Sequence, residues 1–173
     1  MDVDNVGGAR MAVQYLLKSG HATVATIAGP PDMSPGVDRL RGYRTTMADA
    51  GLNDSGLIVF GDFGRVSAEH AVYRLLDRRP GLDAIFVASD LMAAGALRAL
   101  RRSGRRVPDD VAVIGFEDSP LARHTDPKLT TVRQPVEAMG ERLASELLAL
   151  IGRGGDEPSH VILDTELIIR ESA

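Results

Sequence analysis

Residues 84–97 read AIFVASDLMAAGAL, and the way this stretch divides decides the fold. Its first part, Ala84 to Ala88, is short, apolar and centred on Ile85, Phe86 and Val87, the composition of a buried strand. Ser89 and Asp90 make a two-residue polar joint. From Leu91 the apolar residues run on through Met92, Ala93, Ala94, Ala96 and Leu97 into a helix that extends to Ser103 and stops at Gly104. A second apolar run, Val111 to Phe116, follows behind Pro108-Asp109-Asp110 and ends at the acidic pair Glu117-Asp118. Strand, helix and strand in this order form a βαβ unit, whose strands pair in parallel.

The same alternation extends outward on both sides. Towards the N-terminus, Leu57 to Phe60 is a strand, and the helix over 67–79 opens at Ser67 and Glu69 and is closed by Pro80. Before it, Leu40, Tyr43, Met47 and Ala50 mark a helix, and Ala22 to Ala28 a strand stopped by Gly29-Pro30-Pro31. Val6, Ala9, Val13, Leu16 and Leu17 share one face of a first helix ended by Ser19-Gly20. Towards the C-terminus, Leu129 to Val132 is extended. Val136, Met139, Gly140, Leu143, Leu147, Leu150 and Ile151 then form the clearest helical stripe of the chain. A turn over Gly152 to Pro158 leads to a final strand, Val161 to Ile169. The strands are near-continuously apolar rather than alternating, which requires cover on both sides. The fold class is α/β: a mostly parallel sheet with helices on both faces.

A length of 173 residues fits one domain, and 20 Lys+Arg against 24 Asp+Glu leave a net charge of −4. That balance argues against direct contact with nucleic acid. The absence of Cys excludes disulfides, thiolate nucleophiles and Cys-based zinc sites. No apolar run approaches the roughly 18 residues of a membrane span, and MDVDNVGGAR is no secretory leader. A cytoplasmic protein without membrane association is expected. His21, His70, His124 and His160 lack metal-ligand spacing, and no serine-hydrolase elbow or phosphate-binding glycine loop follows a strand. Neither a metal, a cofactor nor a catalytic residue is expected. Arg101, Arg102, Arg105 and Arg106 are read as a helix end and a solvated turn rather than a phosphate site.

Ligands of open parallel sheets sit beyond the carboxyl ends of the strands. That rule gathers Arg39, Asp62-Phe63, Ser89-Asp90 and Glu117-Asp118 at one edge: a guanidinium, a ring and several acids. Such groups bind small polar molecules, sugars most naturally, through bidentate hydrogen bonds and an apolar face. Each has a competing structural reading. Asp90 is a candidate helix cap, Arg39 a solvated surface residue, Phe63 a loop anchor, and Asp62 and Asp118 turn residues. Two carboxylates also raise a glycosidase reading, without a local signal for one raised pKa.

Six strings, in order, resemble the effector region of the LacI/GalR-type bacterial transcription regulators. They are GHATVATIAGP (20–30), RLRGY (39–43), AIFVASDLMAAGAL (84–97), VPDDVAVIGFED (107–118), DPKLTTVRQPVEAMG (126–140) and ELIIRES (166–172). The resemblance covers essentially the whole chain. It implies a type I periplasmic-binding-protein-like fold of two lobes joined by crossing strands, with one lobe largely complete here. Residues 19–133 and 159–171 would be that C-terminal lobe, and the helices at 5–19 and 135–151 would belong to the other. By the same comparison Arg39, Phe63, Ser89, Asp90, Glu117 and Gln134 are ligand-binding residues. Glu117 stands where the family usually has Asp, and Val136 where some members carry an aromatic, so ligand identity does not transfer. The implied function is non-enzymatic sensing of a sugar-like effector by a homodimer, with the helices at 67–79 and 91–103 as dimer face. DNA would be bound only through a headpiece absent from these residues, and with the other lobe incomplete the effector would bind weakly. The alternative is a periplasmic sugar receptor for transport.

Overall fold

The computed structural model describes residues 1–153 and 161–173. In chain order the elements are β1 (Asp2–Val3), α1 (Asn5–Lys18), β2 (Val24–Ala28), α2 (Ser34–Asp49), β3 (Ile58–Phe60), α3 (Arg65–Arg78) and β4 (Ala84–Val87). They continue with α4 (Asp90–Arg102), β5 (Ala112–Glu117), a 3-10 turn (Pro120–Arg123), β6 (Thr130–Arg133), α5 (Val136–Arg153), β7 (Ile162–Leu163) and β8 (Glu166–Ile168). The sequence-predicted turn after α5 lies largely outside the described residues.

Six strands form one sheet in the order β3-β2-β4-β5-β6-β8. Every pair is parallel except β6 with β8, which runs antiparallel. β2 and β4 are buried along their whole length, as continuous apolar strands require. From β2 the chain crosses to β3 on one side, then returns over β2 to β4 on the other. With right-handed crossovers, that reversal puts α2 on one face of the sheet and α3 and α4 on the opposite face. Polar joints set the helix starts. Asp4 caps α1 by accepting from Gly7 N at 2.7 Å, and Ser89 caps α4 by accepting from Met92 N at 3.2 Å.

Two sequence expectations change. The family resemblance places the first helix in the other lobe, yet α1 packs against α2 and the sheet, with Ala9, Ala12, Val13 and Leu16 fully buried in the main core. Its apolar stripe matches the sequence periodicity, and the surface it covers is this core. The apolar run of the helix at 91–103 is mostly covered within the chain: Met92, Ala93, Ala96, Ala99 and Leu100 are buried and Leu91 stays exposed. Finally, Val161 to Ile169 is two strands rather than one. Asp164 and Thr165 break the run, β7 pairs with β1 in a separate two-stranded ladder, and β8 joins β6.

Helix α1 approaches α2 closely because residue 42 is glycine. A Cβ there would stand 2.5 Å from the Val6 carbonyl oxygen and 2.7 Å from Ala9 Cβ. Overpacking against backbone costs about 1–3 kcal/mol, which outweighs the gain of about 1 kcal/mol from replacing a helical glycine. Gly42→Ala should therefore lower the thermal unfolding midpoint. An unchanged or raised midpoint contradicts the close α1–α2 contact.

Candidate ligand-binding site

The strand order reverses between β2 and β4, so the crevice of this sheet opens at their carboxyl ends. Residue 29, just past β2, is glycine, and a Cβ there would overlap the far edge of the Phe63 ring and stand 3.1 Å from Gly36 Cα. The chain turns tightly there and starts α2, which delivers Arg39 into the crevice. Arg39 is only 3% exposed. Its Nε donates to Asn5 Oδ1 at 2.9 Å, and its Nη1 donates to the Ala88 carbonyl at 2.6 Å, at the tip of β4. The guanidinium lies over the Phe116 ring, 3.8 Å from its centroid. Its Nη1 is 3.9 Å from Glu117 Oε1 at the tip of β5. No hydrogen bond from its Nη2 is found among the described residues.

Asp90 opens α4 and is fully buried. One carboxylate oxygen accepts from Thr131 Oγ1 at 2.6 Å and the other from Ser119 N at 2.7 Å. Three charges thus stand close together at the ends of β4 and β5. Burial lowers the Arg39 pKa to about 10, against the opposing pull of Glu117, Asp2 and Asp90, so it stays a cation at neutral pH. Burial raises Glu117 above the usual carboxylate range, Arg39 opposes that rise, and Asp90 adds to it. Burial also raises Asp90, against its hydrogen bonds from Thr131 and Ser119.

Among the six residues singled out from sequence, the structure brings Arg39, Glu117 and Asp90 directly together. Ser89 sits at the same joint with its hydroxyl committed to capping α4. Phe63 packs against the core from a left-handed backbone position (φ 65°), next to Gly29. Gln134 is joined to Glu117 through its backbone N–H, 3.2 Å from the Glu117 carbonyl. Both border an open cleft of about 810 Å³ lined also by Asp118, Ser119, Pro120, Arg123, Arg133, Pro135, Val136 and Glu137.

Several competing readings resolve at the same time. Asp90 is not the cap of α4, and Arg39 is not a solvated surface residue. Asp62 is a turn residue, holding Gly64 N and Ser67 Oγ. Asp118 is far more than one, with its carboxylate gripped by Arg133 and Arg170. In the arginine cluster Arg102 pairs with Glu69, Arg105 donates to the Pro80 carbonyl and Arg106 pairs with Asp110. Sequence reasoning missed Asn5, Phe116 and Thr131. Asn5 lies 34 residues from Arg39 and Thr131 lies 41 from Asp90, so no local spacing signals them. Among the described residues no cluster of three or more metal-ligating side chains occurs and no helix is long and apolar enough to cross a membrane.

An α/β sheet with a buried cation, acids and a ring at its switch point has the layout of a ligand-binding domain. The profile of the periplasmic binding protein-like domain matches residues 13–173, and the chain belongs to that family, on the LacI-type regulator branch to which its motifs point. It is 50% identical over 173 residues to the HTH-type transcriptional regulator CelR of Thermobifida fusca, covering 99% of this chain and 51% of the relative. A solved CelR–cellobiose complex superposes with a TM-score of 0.96 at 50% identity, over 99% of this chain and 53% of that one. The lac repressor dimer bound to operator and an anti-inducer superposes at 0.91 with 28% identity, over 98% of this chain and 51% of that one. These similar proteins are transcription regulators, and the chain spans about half the length of the curated relatives it matches.

The raised Glu117 pKa carries a sign. A carboxyl with a folded-state pKa above its unfolded value contributes stability below the ordinary value of 4.5, lost as pH rises through the folded pKa. Glu117→Gln removes that loss. Between pH 4.5 and neutrality the unfolding midpoint of the wild type should fall relative to that of Glu117→Gln; parallel curves contradict the assignment.

Proposed function

We propose that these residues are the effector-sensing and dimerising portion of a DNA-binding transcription regulator that responds to a sugar or related polar metabolite in the cytoplasm. The observation that carries the reading is Arg39, a buried cation at the switch point with Nη2 left for a ligand and Glu117 beside it. A guanidinium and a carboxylate at this spacing bind vicinal hydroxyls bidentately, and the Phe63 ring supplies an apolar face for C–H surface. The solved CelR relative is described in complex with cellobiose, which supports a carbohydrate over other polar ligands. Ser89, Asp90 and Gln134 complete the proposed wall. The chain itself catalyses no reaction in this reading.

The described wall covers one side of a ligand. In the proposed regulator, α5 belongs to a second lobe that supplies the other side, and the two lobes close over the effector. Val136, Leu143, Leu147, Leu148 and Ile151 of α5 are exposed in this structure, which fits a helix whose partner lies elsewhere. Closure then shifts the population in which two DNA-binding headpieces, carried outside these residues, match the operator.

Saturation-transfer NMR detects weak binding, and a panel of mono- and disaccharides including cellobiose tests the proposal. Transfer to at least one sugar is expected from the wild type, with loss in Phe63→Ala and Glu117→Gln. Absence of transfer to every sugar overturns the carbohydrate reading, and submicromolar calorimetric binding contradicts a one-sided wall.

The homodimer is proposed to form through α3 and α4. Val66 and Leu91 project from these helices at 65% and 44% exposure, and Tyr73 lies between them in sequence at 42%. Sedimentation equilibrium at micromolar concentration should give a dimer, dissociated by Val66→Glu with Leu91→Glu. A strictly monomeric wild type removes this face from the proposal.

A further inference from the structure

Asp118 follows Glu117 at the end of β5, and the ligand wall above does not use it. Its side chain is 2% exposed. It accepts from Arg133 Nε at 2.8 Å and from Arg170 Nη2 at 2.6 Å, and Arg123 Nη2 stands 3.8 Å away. These cations come from separate pieces of chain. Arg133 is the last residue of β6, where the chain leaves the sheet for α5, and Arg170 follows β8, by which it has returned. Arg133 Nη1 also reaches Glu166 Oε2 at 3.2 Å, so the two crossing segments are tied to each other as well as to Asp118.

The backbone explains why this grip matters for the ligand wall. Glu117 and Asp118 have φ of 122° and 52°, a region in which side chains other than glycine cost about 1–3 kcal/mol each. Such a turn persists only where its surroundings determine it. The Gln134 N–H holds the Glu117 carbonyl, and the arginines hold the Asp118 carboxylate. The two acids share a peptide unit, so turning Asp118 away from its arginines also swings Glu117.

We propose that Asp118 is a positioning residue: its grip on Arg133 and Arg170 fixes the turn after β5, and with it the place of the Glu117 carboxyl relative to Arg39 and the crossing segments. The inference rests on reading the Arg39–Glu117 edge as a ligand wall, and it adds a route by which displacement of Glu117 is felt at β6 and β8. Burial pushes Asp118 up, but the hydrogen bonds from Arg133 and Arg170 outweigh it and hold the group below the usual aspartate value. The latch is therefore charged at neutral pH.

The test uses Arg133→Gln and, separately, Arg170→Gln, with Glu117 titrated by carbon-13 carboxyl NMR in the absence of ligand. The charged groups bearing on Glu117 are Arg39 and Asp90. Loss of a nearby cation, acting only through space, raises the midpoint of a carboxyl. Release of Glu117 from its buried place lowers it towards the ordinary glutamate value. The proposal expects a fall in each variant, with little loss of unfolding temperature in Arg133→Gln, whose side chain is 42% exposed. A rise or no change overturns it, as does a drop in unfolding temperature without a fall in the midpoint. If Arg170→Gln fails to fold, Arg133→Gln alone decides. Failure to bind sugars leaves this result standing, because the titration contains none.

Discussion

The guanidinium of Arg39 is the interaction on which this fold is organised. Among the described residues no other Lys or Arg is buried, and a buried cation is tolerated only when hydrogen bonds and counter-charges replace water. Each replacement comes from a different element. Asn5 belongs to α1, Ala88 to the joint after β4, Phe116 and Glu117 to β5, and Arg39 itself to α2. The cation therefore fastens α1 and α2 to the tips of two strands, which is why the first helix belongs to this core and not to another lobe. The hydrogen bonds found for it use Nε and Nη1.

The acids around it form a graded series. Asp90 is fully buried and raised by desolvation, Glu117 is half-buried and raised less simply because Arg39 faces it, and Asp118 is lowered by its arginines. Neighbours in sequence thus have opposite shifts. Glu117 retains affinity for a proton or a hydroxyl donor, whereas Asp118 is saturated with donors and serves the framework.

The fold was legible because its signals are local. AIFVASD contains a buried strand, its polar joint and the start of a helix within seven residues, and the reversal rule then names the edge where ligands sit. Arg39, Asp90 and Glu117 were reachable from that rule. Asn5, Phe116 and Thr131 were not, since their roles depend on how α1, β5 and β6 come together. Asp118 illustrates the limit most clearly: an acid after a strand has the local appearance of a turn residue, and its arginines lie 15 and 52 residues away. The break at Asp164-Thr165 was visible as two polar residues, but an apolar run gives no sign of a change of ladder partner. The stripe of α1 was equally visible, yet periodicity tells which side of a helix is apolar and never which surface it meets.

That last distinction separates α1 from α5. Both are amphipathic, and most helical stability in proteins comes from packing such a face rather than from propensity. Helix α1 has its partner in α2 and the sheet. Helix α5 carries five large apolar side chains in water, each worth roughly 1.5–3 kcal/mol on burial. Together they approach the whole stability of a typical domain, roughly 5–15 kcal/mol. Burying that face would therefore change the free energy by an amount comparable to the stability of a whole domain. Helix α5 follows Arg133, the last residue of β6, which pairs with Glu117 in the ladder and holds the Asp118 carboxylate, so the uncovered helix is joined to the sheet beside the candidate site.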